Sequence, residues 1–162
     1  MLIAQTVCAF FLSDSGSWSV DWMFGLPLIL LTVLINVLGL GLIGRRIVLF
    51  SHRVSERAHP TLVFLMVVCG TTLLAASLHA IDAGIWAATY RLLGAMPNFH
   101  AAMLYSLNAI TSYGHTNLTL EDRWQLMGAT EALNGTLLFG LSTAFLFAVI
   151  QKVWFTSLEA WK

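Results

Sequence analysis

The chain alternates long stretches that carry no charge with short polar interruptions. Trp22 to Gly44 (WMFGLPLILLTVLINVLGLGLIG) is uncharged and is closed by Arg45 and Arg46. Thr61 to Leu78 (TLVFLMVVCGTTLLAASL) follows Pro60 and is expected to continue helically through His79 and Asp82 toward Tyr90. Ala132 to Ile150 (ALNGTLLFGLSTAFLFAVI) is closed by Gln151 and Lys152. As helices rising about 1.5 Å per residue, each suits a hydrocarbon core about 30 Å thick. A fourth apolar run, PNFHAAMLYSLNAI from Pro97 to Ile110, is too short to cross. Pro97 and Asn98 form a helix start, and about twelve helical residues reach only some 18 Å. The expected fold class is an all-α integral membrane protein: three transmembrane helices and one re-entrant helix.

Composition agrees with that pattern. The 162 residues are 58% hydrophobic and 10% charged, with a mean hydropathy of +0.80, whereas soluble domains carry about 25% charged residues. Zero net charge gives no reason to expect a nucleic-acid partner. Cys8 and Cys69 are too far apart for a zinc spacing or a disulfide framework. No nucleophile–base arrangement stands out, so neither an enzyme activity nor a metal site is expected. The segment Arg45 to Pro60 holds Arg45, Arg46, Arg53 and Arg57 against Glu56, while the first twenty-one residues hold Asp14 and Asp21 and no basic residue. The positive-inside rule then places that loop in the cytoplasm, the N-terminus outside and the C-terminus inside, in a cell (inner) membrane. Trp18, Trp22, Trp86, Trp124, Trp154 and Trp161 fall near span ends, where interfacial tryptophans are expected. The opening MLIAQTVCAFFL is too short to span and lacks a signal peptide's basic start, so a short interfacial or packed helix is expected.

With both neighbouring spans reaching the outer side, the short helix must dip into the bilayer and return through TSYGHTN, Thr111 to Asn117. Non-helical backbone at that depth is tolerated only where protein buries it or where it lines a watery cavity. An extended return leaves carbonyls free to replace a cation's hydration shell. The helix also points its partly negative C-terminus inward. The alternative is an extracellular loop carrying a surface helix.

This arrangement resembles the potassium-channel superfamily, most of all its small bacterial members, over about Thr61 to Trp154. The family filter reads Thr-Thr-Val/Leu-Gly-Tyr-Gly-Asp, onto which Thr111, Ser112, Tyr113, Gly114, His115, Thr116 and Asn117 fall without a gap. YSLNAI upstream and EALNGTLLFGLSTAFLFAVIQ downstream are also similar. The resemblance implies a homotetramer in the lipid bilayer, with no cofactor, passing a monovalent cation (K+ or Na+) between carbonyl rings of the filter. The apolar runs and the arginine-rich loop divide the chain into an N-terminal extracytoplasmic segment 1–21 with a short apolar helix, a first helix 22–50, a cytoplasmic loop 51–60 and a tail 155–162, and the resemblance implies that 61–154 is a pore module. Within the module fall an outer helix 61–90, a pore helix 97–110, a filter 111–117 and an inner helix 125–154. Ser112 would supply a carbonyl and hydroxyl at the inner end, with carbonyls of Tyr113, Gly114 and His115 above it. Thr116 stands where the family has its second glycine, a position at which a β-branched residue is costly. His115 replaces the tyrosine packed behind the filter, and Asn117 replaces an aspartate. These departures concern selectivity and leave open a non-selective, weakly conducting or non-conducting pore.

Glu131 lies about seven residues past Trp124, so its carboxylate needs a partner, a proton or water. One expectation bonds it to the pore helix or filter backbone, with Asn134 adding a second bond; the other lets it reach the headgroups. His115 is the one filter side chain able to titrate near neutral pH, and it is read either as a sensor of external pH or as a neutral hydrogen-bonded group. His79 and Asp82 share a helical face and are read as a packing pair. Gly135 and Gly140 offer close helix packing or a hinge. Thr136, Gly140, Thr143 and Phe147 share a face assigned to the pore, with an apolar gate near Phe147. The first helix has no arginine ladder, which excludes a voltage sensor, and the residues after Ile150 are too few for a fused ligand-binding domain. Two alternatives remain: a non-conducting pore-like scaffold, and a haem-binding electron-transfer subunit using His79 and His100.

Overall fold

The computed structural model describes residues 19–42, 44, 46, 59–114 and 118–159. Expectations for segment 1–18, for most of the loop 51–60, and for His115, Thr116 and Asn117 lie outside them. Helix α1 is described over Ser19–Leu42, α2 is Pro60–Leu92, α3 is Phe99–Ile110, and α4 is Gln125–Glu159 after a 3-10 turn at Asp122–Trp124. No strand occurs among the described residues. Ser19–Leu42, Thr61–Leu92 and Asp122–Trp154, of 24, 32 and 33 residues, are long and apolar enough to cross a membrane. They fit a multi-pass membrane protein.

The element boundaries follow from local chemistry. Pro60 opens α2 at a position where its missing N–H costs nothing, and the amides of Leu62 and Val63 bond back to His59 O. The helix stops at Gly94, whose φ of 71° suits glycine, and Ala95 N returns to Tyr90 O at 2.9 Å. The outer helix is therefore slightly longer than the expected 61–90, and the inner helix runs past 154 to Glu159. Hydroxyls within these helices satisfy themselves locally. Thr71, Thr72, Ser77, Thr89 and Thr136 each donate to the carbonyl four residues earlier, as an apolar solvent demands.

The described chain forms two compact units, each drawing on α1, α2 and α4. One contains residues up to Leu31 together with Asp82–Thr136, and so the whole of α3. Its core joins Trp86, Ala87 and Tyr90 of α2 to Ala102, Tyr105, Ala109 and Ile110 of α3 and to Trp124 and Met127, with Phe24 and Leu28 of α1 against it. The other contains Thr32–Ile81 and residues from Leu137 onward. There Val63 and Val67 of α2 pack with Val149 and Val153 of α4, flanked by Phe64 and Phe145. Leu78 lies over Gly39.

The expectation of interfacial tryptophans needs correction at two positions. Trp22 and Trp154 are exposed, but Trp86 and Trp124 are buried in the aromatic core around α3. Trp124 meets Phe24 edge-on at 6.3 Å. An indole suits both an interface and a protein core, and the neighbours that decide between them come from other helices.

Candidate functional site

Asn98 starts α3 as its cap. Its backbone is extended, and its side chain accepts a bond from Ala101 N at 2.7 Å. The helix itself therefore begins at Phe99, two residues after the expected 97. Its buried residues are Ala102, Tyr105, Ser106, Ala109 and Ile110, spaced by threes and ones as one helical face requires. Leu104 and Leu107 remain exposed.

The face of α4 that receives α3 is made of small residues and one acid. A Cβ on Gly128 would strike the Tyr105 ring and hydroxyl. A Cβ on Gly135 would come within 2.7 Å of Ile110 Cα, backbone against backbone. Between these positions lies Glu131, fully buried. Tyr90 of α2 donates its hydroxyl to Glu131 Oε2 at 2.7 Å. Ser106 of α3 is hydrogen-bonded to Glu131 Oε1 and to Ala83 O of α2 at 2.9 Å. One carboxyl thus ties α2, α3 and α4. Tyr105 packs edge-on against Tyr90 at 5.5 Å.

The end of α3 departs from the expected extended return. Thr111 caps the helix, its hydroxyl donating to Leu107 O at 2.6 Å. Ser112 N bonds to Ala109 O and Tyr113 N to Asn108 O, both at 3.0 Å, while Ser112 takes a φ of 54°. This is a Schellman turn with serine at the left-handed position. Thr111 and Ser112 therefore form a turn, because the last carbonyls of α3 recruit the amides of Ser112 and Tyr113. Gly114 is again at positive φ, 91°, while Tyr113 between them is not. Among the described residues no backbone amide bonds to the carbonyls of Thr111 to Gly114. All four residues are exposed, Tyr113 at 84%.

The remaining site expectations divide clearly. Asn134 is fully buried one turn beyond Glu131. Thr136, Gly140, Thr143 and Phe147 are all exposed on α4, and a Cβ on Gly140 would meet nothing within 4 Å among the described residues. Close packing thus describes Gly135, whereas Gly140 is open. His79 stacks on Phe139 at 4.5 Å, with Ser142 Oγ 3.2 Å from its Nε2. Asp82 is fully buried, and His100 is exposed. An open cleft lined by Gly94, Pro97, Thr119, Glu121 and Asp122 has its acids engaged locally, Glu121 with Arg123 and Asp122 with Gln125.

Sequence reasoning identified Glu131 and missed Tyr90, Ser106 and Asp21. Asp21 served only in a charge count, yet it is 2% exposed. The available signal was polarity inside apolar context: a tyrosine closing a span and a serine on the buried face of a short helix. No family model matches the chain, and no curated protein or solved structure matches it either.

Proposed function

We propose that the chain is one subunit of a homotetrameric cation channel of the cell membrane, with its N-terminus outside and its C-terminus cytoplasmic. The observation that carries this reading is the end of α3. A helix too short to span stops at Ile110 and is followed by exposed, alternating backbone whose carbonyls have no described amide partner. In lipid such groups need a ligand, and a monovalent cation stripped of water is the ligand that peptide oxygens suit. One chain contributes one strand, so several copies must surround a common axis. Thr111 to Gly114 then form the inner filter. Glu131, with Asn134 beside it, supports the helix that carries them. The exposed α4 residues Thr136, Gly140, Thr143 and Phe147 are the proposed pore-facing residues, with Phe147 as the apolar constriction.

The Schellman turn favours a second reading, a non-conducting scaffold of the same architecture. It closes α3 as an ordinary helix end and leaves less extended backbone for a filter. The haem-ligand reading gains nothing, since the His79 ring is occupied by Phe139 and Ser142. Purified protein in liposomes separates the first two. The channel reading expects potassium or sodium flux without anion flux; the scaffold reading expects neither, at equal incorporation.

A further inference from the structure

The hydrogens around Glu131 can be counted. Ser106 Oγ carries one, and a peptide carbonyl can only accept. The 2.9 Å contact with Ala83 O therefore takes the serine hydrogen. Ser106 then presents only lone pairs to Glu131 Oε1, which is also within hydrogen-bond reach. An ionised carboxylate would place lone pair against lone pair there. The reverse assignment, serine donating to the carboxylate, leaves two lone-pair oxygens 2.9 Å apart at Ala83. A proton on Oε1 satisfies every contact, with Tyr90 donating to the remaining oxygen at 2.7 Å.

The surroundings agree. The other buried ionisable groups described in this unit are Asp21 of α1, Asp82 and Tyr90 of α2, and Tyr105 of α3, and none brings positive charge. Among the described residues every lysine and arginine is exposed. A buried carboxylate with no cation partner is expensive in a medium without water. No described group of three or more His, Cys, Asp or Glu could hold a metal ion in its place.

We propose that Glu131 is a neutral carboxylic acid and a positioning residue, the centre of a one-way chain of donors running from Tyr90 through Glu131 and Ser106 to Ala83 O. The chain fixes the rotation of α3 and thereby aims Thr111 to Gly114. The proton assignment is independent of conduction; its effect on an ion path rests on the channel reading above.

Infrared difference spectroscopy of the purified full chain tests it at neutral pH. Wild type minus Glu131→Gln should give the C=O stretch of a protonated acid. Glu131→Gln should fold and keep its unfolding temperature, because the amide is isosteric with the neutral acid and offers both a donor and an acceptor. Tyr90→Phe removes the bond to the carbonyl oxygen alone and should shift the acid band to higher frequency. A difference spectrum containing carboxylate stretches, an unmoved band in Tyr90→Phe, or a Glu131→Gln chain that cannot fold would each overturn the proposal. A protein that carries the acid band yet passes no ions would contradict only the channel reading.

Discussion

The unit around α3 and the unit of valine contacts are built from the same long helices, yet different forces hold them. Around α3 the joints are directional: a carboxyl bonded to a phenol and a hydroxyl, and aromatic rings meeting edge-on. In the other unit valines meet by shape beside Phe64, whose ring meets Trp154 edge-on at 5.8 Å, and Ser142 Oγ lies 3.2 Å from His79 Nε2. Helices in lipid gain little from burying apolar surface against each other, so packing and hydrogen bonds decide. Long helices that merely pass one another need only fit. A twelve-residue helix must be held in one rotation and at one depth, which fit alone does not set. The bonds of Glu131 to Tyr90 and Ser106 answer that demand.

The largest way to break this contrast is Gly135→Val. Its side chain enters the Ile110 backbone, which cannot swing aside as a side chain can. A loss of about 3 kcal/mol or more is expected, read as absence of monodisperse protein or a collapsed unfolding temperature. Gly128→Ala should cost less, about 1–2 kcal/mol, because the obstruction is the Tyr105 phenol. Tyr105→Phe removes the hydroxyl, so the double variant should recover part of the loss, with a coupling of roughly 0.5–1 kcal/mol in a thermal double-mutant cycle. In the other unit, Ser142→Ala removes the hydroxyl beside His79 and should cost only about 0.6 kcal/mol, the average for such bonds in membranes. If Ser142→Ala proved as damaging as Gly135→Val, the contrast between the units would fail.

Much of the fold was legible because its signals are local. Span lengths and the Pro97–Asn98 start are written in adjacent residues, and Asn98 does cap α3. Glu131 was legible as an acid too deep to be idle. Its partners were not, since Tyr90 and Ser106 lie 41 and 25 residues away and only the packing of three helices brings them together. The turn after Ile110 was misread as extended for a related reason. Left-handed caps are signalled by glycine or asparagine, and here Ser112 takes that position. Trp86 and Trp124 were read from their distance to span ends, which carries no information about helix rotation.

The most direct measurement of the central claim is cation flux in liposomes by wild type and Gly114→Ala at matched incorporation. A methyl at φ 91° is disfavoured and should disturb the backbone there, while no atom of the described residues lies within 4 Å to obstruct it. The account predicts potassium or sodium flux from wild type and a loss of that flux in Gly114→Ala without loss of assembly. Absence of flux from wild type, or equal flux from both, would contradict it.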